Sequence, residues 1–419
     1  MKKKDFISKD IDPKFKAVNA FIFAGSFSIG VMKAGFDLQK VLEISDSQPE
    51  ENAFFFIKNV EDVPVILPKI WENDEYLDNL KNENIDLMCC NCPCSSLSQI
   101  NRNASVDGKN NVHFYRLFNI FKHVQPKVFV IENAPTLVKL GFPILKDLVK
   151  ELGDKYRFSI LRDFAMNHEV PMKRQRTMVV GWNREHFDSV PFINVDKHEL
   201  VSVKDTFKDI YEDTTNDYPS KSYNEISHLY KFCKSNFTIM HSLALQIEEN
   251  PDGKIAKEIL DGLKDHPSKL REVNRIREKI RNNERFWNKS PTRLQDNCLF
   301  PSFTSVSEYL HPVQNRTLNK RELGRIMGYP DEYDFSNPDN ICKIPVSQAI
   351  AQGVPVNFGK YIATQARLGL EGKLEMNSDK NIDIVFQHNS AFKYDEYTIS
   401  EFNNLTFLDS SKSSKNLKK

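Results

Sequence analysis

Short apolar runs alternate with amphipathic stretches across the first 183 residues of the chain. The run 85–91 is almost wholly apolar, which is typical of a parallel strand that is buried on both faces. Residues 112–124 place Leu117, Phe121 and Val124 on one helical face. The pattern predicts an α/β fold with a doubly wound parallel sheet covered by helices. Further strands are expected at 20–23, 41–44, 127–131 and 177–182.

The alternation is lost after Arg184, and the chain up to Pro312 is polar, rich in Asn and Lys, and only loosely periodic. A helix is expected over 316–328, and another within 346–370 after Gly353-Val354-Pro355. The Ser/Lys tail at 410–419 has no apolar anchor, so we expect it to be disordered. These changes predict a first domain at 1–183, a smaller second domain at 184–312, a return to the first domain at 313–370 and a C-terminal extension at 371–419.

The composition is that of a globular protein, with 40% apolar and 27% charged residues in a chain of 419. The 58 Lys and Arg residues nearly balance the 57 Asp and Glu residues, so any surface for a polyanion must be local. No apolar run approaches the roughly 18 to 20 residues that a membrane helix needs. Residues 1–12 lack the apolar core of a signal peptide. We therefore expect a cytoplasmic protein with no membrane partner.

Four of the seven cysteines crowd into Cys89, Cys90, Cys92 and Cys94 at the end of the apolar run 85–91. Cys89 and Cys92 have zinc-ligand spacing, but zinc needs a second nearby pair and the other three cysteines are scattered. A residue at the position of Cys94 faces the crevice at the carboxyl end of the sheet, where open α/β folds bind ligands. A thiol beside the backbone N–H groups of a following turn has a lowered pKa. Cys94 is therefore a candidate nucleophile, with a small buried cysteine as the alternative.

Polar residues also lie next to two other predicted strands. Glu132 follows the strand 127–131, where desolvation can raise the pKa of a carboxyl group enough for it to donate a proton. Capping of the next helix is the alternative role for Glu132. Arg174 and Arg176 precede the strand 177–182 and share one face, so one or both can reach an anion in the crevice. A solvated basic edge would have the same pattern.

The order and spacing of these segments resemble those of the DNA (cytosine-5) methyltransferase family. Pro93-Cys94 resembles the family's Pro-Cys nucleophile motif, Glu132-Asn133-Ala134 resembles its Glu-Asn-Val, and Met172-x-Arg174-x-Arg176 resembles its Gln-x-Arg-x-Arg. Further matches are His311-Pro312, Arg316-x-Leu318, Lys320-Arg321-Glu322, Gly328-Tyr329-Pro330-Asp331 and the segment 350–363. The resemblance implies a Rossmann-like methyltransferase domain with a smaller target-recognition domain. The catalytic residues that it implies are Cys94, Glu132, Asn133, Arg174 and Arg176.

The first predicted strand and the turn after it are similar to the family's S-adenosylmethionine loop, with Phe27-Ser28 in place of paired glycines. Glu43 lies at the end of the second strand, where an acidic residue can accept hydrogen bonds from ribose hydroxyls. Ser26 or Ser28 is expected to offer a hydroxyl where a glycine backbone usually approaches the cofactor. The cofactor-binding residues that the resemblance implies are Phe23, Ala24, Gly25, Ser26, Phe27, Ser28, Glu43, Ile44, Pro93, Gln352 and Val354.

The resemblance implies methyl transfer from S-adenosylmethionine to C5 of a cytosine that has been flipped out of duplex DNA. Cys94 would attack C6, Glu132 would act at N3 and Arg176 would orient the adduct. The segment 269–293 holds nine basic residues and three acidic ones, which favours phosphate contacts, with a solvated helix face as the alternative. The expected nucleic-acid-binding residues are Ser98, Arg271, Arg275, Arg277, Arg281 and Arg285.

We expect a monomer that acts on double-stranded DNA without a metal ion. A cognate restriction endonuclease is the further partner that the resemblance suggests, and the sequence leaves this point open. Three other functions also stay open. They are a tRNA cytosine-5 methyltransferase with the same chemistry, a DNA-binding homologue that has lost the cofactor, and a dinucleotide oxidoreductase, against which the missing G-x-G-x-x-G argues.

Overall fold

A computed structural model describes most of the chain. The described residues are 1–8, 12–44, 49–67, 73–98, 101, 103–195, 198–212, 224–234, 237–284, 286, 288, 290–297, 299–303, 308–337 and 340–388. None of the helices in these ranges has the length and apolar character needed to cross a membrane.

The chain folds into two compact units. The larger unit comprises Met1–Val170, Arg174–Glu199 and the chain from Met327 onward, and the smaller unit comprises Pro171–Lys173 and Leu200–Ile326. The sequence pattern placed the divisions earlier, at 184 and 312. Residues 184–195 stay with the larger unit and contact its sheet, where the Ser159 hydroxyl donates to the Pro191 carbonyl at 2.9 Å.

Ten strands are described, and they are numbered in chain order. They are β1 (Phe15–Ala20), β2 (Phe36–Leu42), β3 (Val65–Ile66), β4 (Leu87–Asn91), β5 (Val128–Asn133), β6 (Tyr156–Phe164), β7 (Gln175–Asn183), β8 (Thr292–Arg293), β9 (Tyr309–Leu310) and β10 (Ile384–His388).

Eight of these strands form the sheet of the larger unit, in the order β10-β6-β7-β5-β4-β1-β2-β3. Neighbouring strands are parallel, except that β7 runs antiparallel to both β5 and β6. The predicted α/β class with a mainly parallel sheet is confirmed. The reversed direction of β7 was not predicted, because a strand buried on both faces has the same apolar pattern in either direction.

Two predicted strands are displaced in the structure. The strand expected at 20–23 is β1, which ends at Ala20, and the strand expected at 41–44 is β2, which ends at Leu42. Residues 21–23 are not extended, since Phe21 and Phe23 have φ angles of 61° and 45°, and they lead into a turn that the Gly25 N–H closes on the Ile22 carbonyl. An apolar run predicts burial more reliably than it predicts extended backbone, and Phe21 is only 3% exposed.

Twelve helices are described. They are α1 (Ser26–Lys33), α2 (Pro49–Asn59), α3 (Asp74–Asn82), α4 (Val112–Val124), α5 (Phe142–Leu152), α6 (Val203–Phe207), α7 (Ile239–Glu249), α8 (Lys254–Gly262), α9 (Pro267–Arg281), α10 (Lys320–Met327), α11 (Val346–Gln352) and α12 (Val356–Leu370). Helix α4 has the predicted bounds, and the helix expected at 316–328 is the shorter α10. The helix expected after Gly353-Val354-Pro355 is α12, and α11, which ends directly before that segment, was not predicted.

The smaller unit has its own core, built from the apolar faces of α7, α8 and α9. Leu243, Ile259 and Val273 are fully buried in it. A second buried cluster holds the end of this unit together. The Arg316 guanidinium donates two hydrogen bonds to Glu322, at 2.9 and 2.7 Å. Burial and the nearby Arg316 charge lower the pKa of His311 to about 4.

Candidate active site

Cys94 lies three residues beyond the end of β4 and begins a turn, in which the Leu97 N–H donates to the Cys94 carbonyl at 3.0 Å. Cys89, Cys90 and Cys92 are buried, whereas Cys94 and the preceding Pro93 keep part of their surface exposed. Of the four clustered cysteines, only Cys94 can therefore meet a substrate. Among the described residues, no three His, Cys, Asp or Glu side chains gather into a metal site.

The electrostatic surroundings of the Cys94 thiol act in opposite directions. Burial raises its pKa and the Glu132 charge adds to that effect, while Arg176 and Arg174 lower it. The net result is a raised pKa, because desolvation is the largest contribution. This differs from the lowered pKa expected for a thiol beside a turn. The thiol therefore needs the arginine charges in order to become a thiolate.

Glu132 lies on β5 directly beside the end of β4, because the strand register pairs it with Asn91. It is 2% exposed, and its Oε1 lies 2.6 Å from Nε of Arg176 on β7. Burial raises the pKa of the Glu132 carboxyl group, while Arg176 and Arg174 oppose that rise. The net result is a raised pKa, because burial is the largest contribution.

Arg174 is 3% exposed and donates from Nη1 to the Ala351 carbonyl at 2.7 Å. Burial and the neighbouring Arg176 charge lower its pKa to about 9. Its Nε is buried and has no hydrogen-bond partner among the described residues. This donor is therefore available to an acceptor on a bound molecule.

Asn133 is completely buried at the end of β5. Its Nδ2 donates to the Cys92 carbonyl at 3.0 Å, and its Oδ1 accepts from the Ala134 N–H at 2.9 Å. Both ends of the amide are thus bonded to backbone. Asn133 fixes the chain on either side of Cys94 and Glu132 rather than facing the crevice.

The loop between β1 and α1 has the conformation of a tight binding turn. Gly25 has a φ of 81°, in the left-handed region that favours glycine. A Cβ built on Gly25 would stand 2.3 Å from Cδ2 of the buried Phe56 ring, so only glycine fits there. Phe23, also at positive φ, is partly exposed beside this turn, and Ala24 is fully buried.

Glu43 follows β2 and is 1% exposed, with Ile44 buried next to it. Its Oε2 accepts a hydrogen bond from the Ile22 N–H at 3.2 Å. This bond ties the carboxylate to the turn after β1. Two adjacent strand ends, β1 and β2, therefore present a loop of backbone and a buried carboxylate together.

The structure explains how Phe27 and Ser28 replace a pair of glycines. The Phe27 ring packs on Gly359 of α12, where a Cβ would stand 2.9 Å from Phe27 Cδ2. The Ser28 hydroxyl accepts from Asn19 Nδ2 at 3.0 Å. The hydroxyl of Ser26 faces Gly353, where a Cβ would stand only 2.2 Å from it. The phenyl ring and the Ser28 hydroxyl are thus both engaged within the protein.

Gln352 ends α11 and lies beside the end of β4, since its carbonyl accepts from Asn91 Nδ2 at 3.3 Å. Its Oε1 is buried and has no hydrogen-bond partner among the described residues. Val354 is fully buried two residues later. An unpartnered buried oxygen on a residue beside the end of β4 is consistent with a bound group that supplies a donor.

The sequence did not single out Tyr333, which holds the same loop. Its hydroxyl donates to the Ala24 carbonyl at 2.7 Å, and its ring packs against Tyr329 and Phe335. The two bonded residues are 309 positions apart. No local pattern could have revealed this contact, although the aromatic spacing after Gly328 was a signal of burial.

Four of the six predicted nucleic-acid residues lie on α9, and three of these four are already paired with carboxylates. Arg277 and Arg281 both donate to Glu248 of α7, and Arg275 donates to Glu272. Arg271 is exposed and forms no ion pair within the described part of the chain. Of the two other predicted residues, Ser98 is half-buried in the loop after Cys94, and Arg285 lies outside the described residues. The free positive charge of this segment is therefore smaller than its composition suggests.

Comparison with solved structures supports the fold. A prophage-encoded Escherichia coli protein, assigned as a DNA modification methyltransferase, matches with a TM-score of 0.57 and 18% identity. The match covers 86% of this chain and all of that chain. At this level of identity the likeness concerns the fold alone. The predicted Rossmann-like methyltransferase architecture is confirmed.

Curated relatives cover nearly the whole chain. The type II methyltransferase M.DdeI of Desulfomicrobium norvegicum is 22% identical over 392 residues, which are 88% of this chain and 92% of the relative. The type II methyltransferase M.Sau96I of Staphylococcus aureus is 24% identical and covers 83% of this chain and 74% of its own length. The family model for C-5 cytosine-specific DNA methylase matches residues 15–367. With its fold, the ordered strand-end residues and this match, the chain belongs to the C-5 cytosine-specific DNA methylase family.

Proposed function

We propose that the protein methylates C5 of a cytosine in a specific duplex DNA site, with S-adenosylmethionine as the methyl donor. The observation that carries this proposal is the convergence of Cys94, Glu132 and Arg176 at the ends of β4, β5 and β7. A nucleophile, a proton donor and a cation in one crevice are the groups that addition to a pyrimidine ring requires.

The residues around α1 fit S-adenosylmethionine. Glu43 would accept hydrogen bonds from the ribose hydroxyls. The Gly25 N–H is already donated to the Ile22 carbonyl, so the N–H groups of Ala24 and Ser26 would be the donors to the methionine carboxylate. Gln352 Oε1, which is buried without a partner among the described residues, would accept from an amine or hydroxyl. The bound cofactor supplies an activated methyl group on a sulfonium sulfur.

Cytosine C5 is a weak nucleophile, and the side chains of this site would activate it by addition to the ring. The Cys94 thiolate forms a bond to C6, and the C5–C6 electron pair moves toward C5. Glu132 donates a proton to N3, so that negative charge does not accumulate on the ring. Arg176 holds Glu132 in place and, with Arg174, lowers the pKa of Cys94. After methylation, a water molecule takes the C5 proton and Glu132 takes back the N3 proton, which restores the C5–C6 double bond and expels the Cys94 thiolate.

These atoms cannot be reached inside a base-paired duplex, so the target cytosine must leave the helix. We propose that the smaller unit reads the site and that the protein acts as a cytoplasmic monomer. The two relatives described above are named type II methyltransferases, which supports a restriction-modification setting with a cognate endonuclease.

The test is covalent trapping on DNA that carries 5-fluorocytosine at the target, since fluorine cannot leave as a proton does. Target sites are first mapped by sequencing DNA methylated with labelled S-adenosylmethionine. The wild-type protein should form a denaturant-resistant adduct, and Cys94→Ser should form none while keeping DNA binding. Transfer to tRNA in place of DNA, or no binding of the cofactor by calorimetry, would refute the proposal.

A further inference from the structure

Two buried carboxylates flank Arg176 on the same face of the sheet. The antiparallel register sets Asp163 of β6 directly opposite Arg176 of β7, which brings their Cβ atoms to within about 5.5 Å. Glu132 approaches from β5 on the other side, two residues diagonal from Arg176. Arg176 nevertheless forms its 2.6 Å ion pair with Glu132.

Asp163 is held by a different set of donors. Its Oδ1 accepts from Asn167 Nδ2 and from the Phe164 N–H, both at 2.7 Å. Its Oδ2 lies 2.7 Å from His168 Nε2. Asp163 is 0% and His168 2% exposed, so water has little access to this pair. A buried carboxylate of this kind needs such donors, because leaving it short of one is costly.

The His168 ring is held firmly in position. It stacks on Tyr361 at 3.7 Å and on Phe358 at 5.2 Å, both on α12. His168 ends a short 3₁₀ turn, Ala165–His168, which also anchors the arginine segment, since the Ala165 N–H donates to the Arg174 carbonyl at 2.8 Å. The imidazole is thus fixed by packing to α12 and by its bond to Asp163.

We infer that His168 is a positioning residue. Its contact with the Asp163 carboxylate keeps that carboxylate from pairing with Arg176, so that Arg176 pairs with Glu132 instead. This inference rests on the proposed function, because it concerns the pair that acts on the cytosine ring. Without the imidazole, Asp163 Oδ2 loses a donor and attracts the guanidinium opposite to it. Arg176 then moves away from Glu132, and the catalytic geometry is lost although no reacting group has changed.

The experiment compares His168→Phe with His168→Gln in single-turnover methyl transfer. Phenylalanine keeps the stack on α12 but removes the donor, and glutamine keeps an N–H donor but removes the aromatic ring. We expect His168→Phe to lower the rate about 10- to 100-fold, as a displaced catalytic group does. His168→Gln should stay within about threefold of wild type. The affinity for DNA should change in neither variant, because His168 is only 2% exposed.

A double variant distinguishes the effect of His168 on the Asp163 charge from its effect on local packing. Asp163→Asn removes the competing charge, so Asp163→Asn/His168→Phe should recover a rate close to that of Asp163→Asn alone. This comparison also holds if His168→Phe by itself fails to fold. A rate in His168→Phe equal to or above that in His168→Gln would overturn the inference, as would a double variant as slow as His168→Phe. Wild-type trapping on 5-fluorocytosine DNA is measured first, so a failure of the proposed function is seen independently.

Discussion

Glu132→Gln removes a negative charge at the end of β5 and keeps the shape of the side chain. The carboxylate is 2% exposed and lies 2.6 Å from Arg176 Nε, so both its partner and its environment are known. Glutamine can still accept from Arg176 and can donate to N3 of cytosine, but it cannot transfer a proton. The change therefore tests proton transfer rather than packing.

Glu132→Gln should affect both the stability of the fold and the rate of methyl transfer, and the sizes of these two effects can be compared. A hydrogen bond to a charged group contributes about 1.5 to 3 kcal/mol, and the glutamine oxygen keeps part of it, so unfolding should become easier by about 2 kcal/mol. A domain with about 5 kcal/mol of stability would then still be more than about 99% folded. A positioned acid contributes about 10²- to 10⁴-fold to the rate, or about 2.7 to 5.4 kcal/mol. Loss of the folded state therefore cannot account for the expected loss of rate.

The assay is single-turnover transfer of a labelled methyl group, together with calorimetry of S-adenosylhomocysteine binding and denaturant unfolding. Glu43→Gln is the matched control, since Glu43 is also a buried carboxyl group at the end of a parallel strand. We expect Glu132→Gln to slow transfer and leave cofactor affinity unchanged, and Glu43→Gln to weaken cofactor binding at least tenfold. Full activity in Glu132→Gln, or a large loss of its cofactor affinity, would refute the assignment.

Three further predictions follow from single contacts. Because the pKa of Cys94 is raised, the thiolate is the minor form near neutrality. The rate of adduct formation on 5-fluorocytosine DNA should therefore rise about tenfold per pH unit between about pH 6 and 8. A rate that does not change with pH would contradict this. Tyr333→Phe should weaken cofactor binding about fivefold, while Tyr156→Phe, which loses a comparable buried bond to the Pro126 carbonyl, should leave it unchanged when both are measured by calorimetry. Arg271→Ala should make the slope of log K for DNA binding against log salt concentration shallower by about one unit. Arg281→Ala should leave that slope unchanged, because the Arg281 charge is paired with Glu248. Equal slopes in the two variants would show that Arg271 does not contact DNA.

The sequence by itself indicated that the two candidate reacting groups lie after neighbouring strands of the sheet. Cys94 and Glu132 follow apolar runs, and residues that follow parallel strands gather at one edge of a sheet. The rule needs only the local pattern and the order of the strands, so it located the crevice before any contact was known. Helix α4 was predicted for the same reason, because its apolar face repeats within 13 residues.

Only the tertiary structure decided which charges are paired and how the loop between β1 and α1 is held. The basic segment looked free in sequence, yet Arg277 and Arg281 share Glu248 from a helix about 30 residues away. The antiparallel β7 sets Asp163 against Arg176, a register that no apolar pattern contains.

The loop between β1 and α1 shows the physical reason for this difference. Phe27 is compatible with it because Gly359 leaves room for the ring, and Tyr333 fixes it through the Ala24 carbonyl. Each contact joins residues more than 300 positions apart, and its energy depends on distances of a few ångströms. Local periodicity records which side chains are buried, whereas their partners are set by the packing of whole elements.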